Sequence, residues 1–185
     1  MMNGEGNIVM RNLMFSIVVM LTIATNSMST ENKTITVDGF RGLKWGMTAE
    51  EAKKIKKMHM ISEDQGGKEI LLYSDRDEQM TIGSSQLSHI FYAFWNNQFF
   101  AVAVDTEGES NYWGLAKAAR EKYKECSIPE RYTDEIICNP EGATVELDYN
   151  RFSKKGSMTI RSIDYSKKMR ILREEAAKKG AATDF

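Results

Sequence analysis

The chain has 185 residues, with 25 Lys and Arg against 26 Asp and Glu and a formal net charge of −1. That balance offers no bulk positive field, which excludes nucleic acid as a partner held by net charge. Hydrophobic residues make up 42% of the sequence, and the part beyond residue 29, about 156 residues, suits one domain with a core of its own.

The first element is an export signal over residues 1–29, or 10–29 if Met10 is the start. Met10-Arg11-Asn12 gives a short basic opening, and residues 13–25 carry no charge. Small residues Thr25, Ser27 and Ser29 follow, so cleavage is expected after Ser27 or Ser29. A spanning helix needs about 20 apolar residues, and this run is shorter. An uncleaved signal anchor is the alternative reading. No cysteine lies near the end of the apolar run to accept a lipid. The expected product is therefore periplasmic or secreted, with no stable membrane anchor after cleavage. Residues 30–39 read as a polar lead-in, 40–180 as one domain and 181–185 as a tail.

A helix is predicted from Thr48. Thr48 with Glu51 forms a capping box, and Met47 with Ala52 supplies a hydrophobic staple. Ala52, Ile55 and Met58 continue one face and Lys53, Lys54, Lys56 and Lys57 the other, so the helix is expected to end near Met60. Two short strands are expected at 69–73 and 79–83, joined by the polar turn Ser74-Asp75-Arg76-Asp77-Glu78.

Residues 87–95 and 98–105 read as a hairpin about Asn96-Asn97, since Asn tolerates the left-handed turn conformation. Pairing Trp95 with Gln98 puts Phe91, Ala93, Trp95, Phe100, Val102 and Val104 on one face. Ile90, Tyr92, Phe94, Phe99, Ala101 and Ala103 take the other. Both faces are apolar, so either both are covered or one meets a partner. A second helix is expected over 110–125, with Tyr112, Leu115, Ala116, Ala119 and Tyr123 as its buried stripe. Strands follow at 143–150 and 157–163, then a helix from 164 or 166 that stops at Gly180. Strands succeed one another without crossover helices. The fold class is therefore α+β, with a mainly antiparallel sheet and about three helices. The two halves, each a helix followed by strands, fit a degenerate duplication.

Cys126 and Cys138 are the two cysteines. In an exported chain an even count reads as a disulfide, and their spacing is not that of a Cys-x-x-Cys redox pair.

The run Phe40-Arg41-Gly42-Leu43-Lys44-Trp45-Gly46-Met47-Thr48-Ala49-Glu50-Glu51-Ala52 resembles the opening of small exported bacterial modules. These are the outer-membrane assembly lipoproteins and the β-lactamase-inhibitor-like modules. Residues 94–102, Phe-Trp-Asn-Asn-Gln-Phe-Phe-Ala-Val, are similar to the aromatic strand and tight turn that follow in such proteins. The resemblance spans about a third of the mature chain. It implies export, an α+β fold and a non-enzymatic role. The chain lacks the lipid-accepting Cys of the assembly lipoproteins.

Candidate chemistry is sparse. Two histidines are present, His59 and His89, and neither sits in a nucleophile–base motif. Met58-His59-Met60 offers soft sulfur and imidazole ligands of the kind that suit Cu(I). A helical segment would turn Met58 and Met60 to different faces. Asp75-Arg76-Asp77-Glu78 and Asp105-Thr106-Glu107-Gly108-Glu109 do not match a calcium loop and read as a solvated turn and a helix start. No catalytic residues and no cofactor are assigned. The leading expectation is an exported binding or accessory module with a protein partner in the cell envelope, contacted through Tyr92, Phe94 and Phe99. The alternatives are an exported hydrolase with a scattered site, and weak copper binding at Met58, His59 and Met60.

Overall fold

The computed structural model describes residues 35–63, 70–127 and 135–183, all within one compact unit, Lys33–Phe185. The expected signal over residues 1–29 lies outside the described residues.

The chain is anchored from the start of this unit. Val37 is buried, its carbonyl accepts from the Trp45 indole N–H at 2.9 Å, and its N–H donates to the Glu141 carbonyl at 2.8 Å. The end of the expected lead-in is thus docked. A small ribbon follows, β1 (Gly39–Phe40) with β2 (Leu43–Lys44). Helix α1 (Ala49–Ile55) opens on Thr48, and both arms of the capping box form. Ala49 and Ala52 are its buried residues.

The helix expected to run to Met60 stops at Ile55. Lys56 is extended, and residues 58–63 form strand β3 (Met58–Glu63). Lys56 turns its ammonium inward onto Asp75 and Glu78. The residues beyond it then pair with β4 (Ile70–Asp75). Tertiary pairing overrides the helical periodicity here. Residues 79–83 do not pair with β4. They contribute β5 (Thr81–Ile82), which pairs with β6 (Ser85–Gln86).

The hairpin forms as β7 (His89–Trp95) and β8 (Gln98–Glu107), with Asn96 and Asn97 both at positive φ. Its faces differ from the simple alternation. Trp95 pairs with Gln98 and Phe94 with Phe99, but Ala93 pairs with Ala101. Phe100 is therefore an extra, bulged residue, and beyond it every side chain changes face. Val102 and Val104 join Ile90, Tyr92, Phe94 and Phe99 in the main core, while Ala93, Trp95, Phe100 and Ala101 share the opposite face.

Helix α2 (Glu109–Tyr123) buries the expected stripe of Tyr112, Leu115, Ala116, Ala119 and Tyr123. After it come β9 (Ile136–Cys138), β10 (Ala143–Asn150), β11 (Lys155–Ser162) and α3 (Ile163–Thr183). Helix α3 continues past Gly180, the expected stop. Among the described residues the main sheet has seven strands in the order β3-β4-β7-β8-β11-β10-β9, and each neighbouring pair is antiparallel. With three helices, this is an α+β fold. The Cys126–Cys138 disulfide forms, with an S–S distance of 2.00 Å, and ties edge strand β9 to the chain leaving α2. Among the described residues no helix is long and apolar enough to cross a membrane.

The sheet separates two unequal cores. The first face packs against β1, β2, α1 and α2 in the main core. On the second face, Tyr165 and Met169 of α3 cover Trp95, Phe100, Ala101, Ala93 and Ile70. The middle of α3 continues exposed, with Ile171 and Leu172 half out of contact.

Candidate functional site

The sequence placed a partner surface at Tyr92, Phe94 and Phe99. All three are 0% exposed, so they are core residues and offer no surface. The bulge at Phe100 and the cover of α1 and α2 put them there. Their burial leaves the second face to consider.

Period-2 alternation from Ala93 places Phe91 and His89 on that face. Two cross-strand rows run over it. One is His89, Asp105, Ser157 and Asp148; the next is Phe91, Ala103, Thr159 and Glu146. The row beyond, which holds Ala93 and Ala101, is where α3 sits. Phe91, Ala103, Asp105, Ser157 and Thr159 are half-buried, and His89 and Asp148 are exposed. His59 and Ser74 form a neighbouring cross-strand pair, with Ser74 Oγ 2.9 Å from His59 Nε2.

Two hollows open on this end of the sheet. One, of about 300 Å³, is lined by His59, Ile61, Ser74, Ser88, His89 and Phe91 among others. The second, of about 230 Å³, is lined by Ser88, His89, Asp105, Asp148, Lys155 and Ser157 among others. Ser88 and His89 form a wall common to both. The His89 ring stacks on Phe91, with centroids 5.5 Å apart and planes 9° apart. Burial pushes the Asp105 carboxyl above its usual range, and the charges of His89 and Lys155 oppose that shift. The trough thus combines a flat aromatic wall, hydroxyls and a carboxylate whose protonation is tuned by its surroundings.

Asp75 and Glu78 also line the larger hollow and belong to a largely buried ionic cluster. Glu78 accepts from Arg41 Nη1 at 2.7 Å, from Lys56 Nζ at 2.8 Å and from the Tyr92 hydroxyl. Lys56 also reaches Asp75 at 3.4 Å. The Glu78 side chain is 5% exposed and that of Lys56 11%. Burial alone would raise the Glu78 pKa; the hydrogen bonds from Lys56, Tyr92 and Arg41 outweigh it and hold the group below its ordinary value. Burial, and then the Glu78 carboxylate, push the Tyr92 phenol up. Arg41 also donates to the carbonyls of Gln79 and Thr81. Two cations meet two carboxylates, so the cluster is a clamp between the β1–β2 turn, the end of α1, the 75–81 turn and β7.

Sequence reading took Asp75 and Glu78 for a solvated turn. Their cations come from Arg41 and Lys56, far upstream, and no local pattern announces the pairing. The one usable signal was the core position of Tyr92, whose hydroxyl requires a partner.

Met58, His59 and Met60 do not converge. Met58 packs against the core, Met60 is 51% exposed, and His59 points to the other face and pairs with Ser74. The triplet is strand, not helix. Its two sulfurs therefore share one side and the imidazole takes the other. Among the described residues, no three His, Cys, Asp or Glu side chains are grouped to hold a metal ion. The Ser74–His59 spacing fits a nucleophile and its base. The nearby carboxylates of Asp75 and Glu78 are committed to Lys56 and Arg41, not to the imidazole. Comparison with protein-family models, with curated proteins and with solved structures finds no match to this chain.

Proposed function

We propose that this chain is an exported binding module, and that it takes its ligand on the open end of the second sheet face. The observation that carries this reading is the pair of hollows sharing Ser88 and His89, on a face that α3 covers only at its far end. The larger hollow joins apolar walls, Ile61, Met80, Ile90 and Phe91, to a few polar groups, as ligand sites do, and the smaller one extends it with polar side chains. Export is supported by the uncharged run at residues 13–25 and by the Cys126–Cys138 bond, which persists in oxidising compartments. The Gly46-Met47-Thr48 opening into α1 supports kinship with the small exported modules named above.

The test is a fragment screen followed by backbone amide NMR. Binding fragments are expected to shift residues around His59, Ser74, His89, Phe91 and Asp105, and His89→Ala with Phe91→Ala is expected to abolish the shifts. Fragments that bind only elsewhere would sink the reading. A second reading, an exported hydrolase, rests on the 2.9 Å Ser74–His59 contact. It requires an esterase activity that Ser74→Ala removes. Fractionation of the producing cells tests the compartment, and recovery of the mature chain in the cytoplasm would count against export.

A further inference from the structure

Trp95 ends β7 and lies in the smaller core, 5% exposed. Its indole Nε1 is buried and has no hydrogen-bond partner among the described residues. A buried donor left unpaired is costly, and folded chains keep few of them. Helix α3 lies over this donor. Two of its side chains, Tyr165 and Met169, pack in the core that holds Trp95. Residues 170–179 of the same helix are all exposed. Helices in proteins draw most of their stability from packing one face, and α3 packs only its first turns. β11 ends at Ser162 and α3 starts at Ile163, with no linker between them. A change of backbone at that single junction lifts the helix from the sheet.

The surface beneath α3 is continuous with the open trough. Ala93 and Ala101 form the next cross-strand row after Phe91 and Ala103 on the same face. The floor there is apolar, made by Ile70, Ala93, Phe100 and Ala101, and Trp95 Nε1 is its unpaired donor. We infer that α3 is a displaceable cover over an inner subsite of this face. The subsite takes an apolar or aromatic group that carries one hydrogen-bond acceptor, of which an amide carbonyl is the simplest. That acceptor pairs with the indole N–H that the closed state leaves alone. The inference rests on the binding-module reading and deepens it by naming the ligand chemistry and the element that controls access.

The closed and open states differ in a way that can be measured. Closed, the structure carries the cost of the unpaired donor; open, water reaches the indole and removes that cost. Deleting the N–H without changing the ring shape therefore favours closure. A ligand that binds only the open state has its affinity reduced by the open fraction, so any change that opens α3 tightens binding by the same factor.

Amide hydrogen exchange on the oxidised full chain reads the cover directly. Residues 167–172 are expected to exchange through a local opening, well before β8 exchanges. Benzothienylalanine, placed at residue 95 by stop-codon suppression, keeps the shape of the indole but has sulfur in place of its N–H. It should slow exchange of 167–172 by about fivefold or more, the worth of one unpaired buried donor. Met169→Ala should quicken that exchange. The binding probe is acetanilide, an aromatic ring with one amide carbonyl. It should move the indole N–H resonance of Trp95, and Met169→Ala should tighten its binding by the factor seen in exchange.

Exchange of residues 167–172 only together with β8 overturns the cover. So does benzothienylalanine at residue 95 that leaves this exchange unchanged or faster. Acetanilide that fails to bind, that binds without moving the Trp95 resonance, or that ignores Met169→Ala overturns the subsite. After any of these failures the binding-module reading still stands if fragments shift His89 and Asp105 at the open end, and it falls as well if no fragment does.

Discussion

Replacement of Glu78 by Gln probes the buried cluster most directly. The carboxylate accepts from a guanidinium at 2.7 Å, from an ammonium at 2.8 Å and from a phenol. Hydrogen bonds to charged groups contribute about 1.5–3 kcal/mol each. Gln keeps one acceptor oxygen, Arg41 keeps the carbonyls of Gln79 and Thr81, and Lys56 keeps Asp75. The expected loss is therefore about 3 kcal/mol, the low end of what breaking a buried ion pair costs. Urea titration of the oxidised chain reads this as a lower midpoint at unchanged slope. The sign of the pH dependence is fixed by the depressed pKa of Glu78. Its stabilisation is present above the ordinary carboxylate range and is lost as pH falls through the folded-state value. Wild-type and Glu78→Gln stabilities should then converge in acid. The double variant with Lys56→Met should lose less than the sum of the singles, because the Lys56–Glu78 bond is broken in each single and would be counted twice in their sum. A loss below about 1 kcal/mol, typical of an exposed pair, or a difference that does not shrink in acid, would refute the reasoning.

Three further outcomes are expected. Replacing Cys126 and Cys138 together by Ser should lower stability by about 3 kcal/mol, from the loop they close. Thermal melts of the variant should match those of the reduced wild-type chain. Gly156→Ala places a Cβ 2.7 Å from both Thr106 Oγ1 and Tyr112 Cδ2, in side chains that are fully buried. It should cost about 1–3 kcal/mol by overpacking, and an unchanged melting temperature would show slack that the packing does not suggest. Asp105 has the opposite linkage to Glu78. Burial raises its pKa, so the stability tied to its protonated form is present in acid and is lost as pH rises through the folded-state value. Asp105→Asn should be at least as stable as wild type at pH 7, and should flatten that part of the stability–pH curve; a destabilised variant at neutral pH would contradict this.

Much of the fold was legible because local chemistry agreed with the final packing. Thr48 and Glu51 cap α1 as their spacing predicts. Asn96-Asn97 turns the hairpin, and the α2 stripe from Tyr112 to Tyr123 is the buried one. The failures share a cause, which is that distant segments decided the local outcome. Pairing with β4 took residues 58–63 from the helix. One bulge at Phe100 reversed the faces of β8, and no feature of a run as uniformly apolar as Phe99-Phe100-Ala101-Val102 marks where it falls. The burial of Glu78 depends on Arg41 and Lys56 arriving from other elements. The trough was illegible for the same reason, since His59, His89 and Asp105 meet only through the strand order. In the sequence His89 stood out only as a histidine outside any nucleophile–base motif.

That strand order also constrains how the chain can assemble as it emerges from its N-terminus. The ten-residue β8 has β7 on one side, made just before it, and β11 on the other. Everything from α2 to β10 must appear before β11 does. Until then Ala101, Val102, Ala103 and Val104 form the open margin of a half-built sheet, apolar and able to pair with any neighbour. The nascent chain is most vulnerable to aggregation in this interval, and a holding chaperone would have most to do then. A truncation that ends after α2 should therefore precipitate, even though it contains every strand on its side of the sheet.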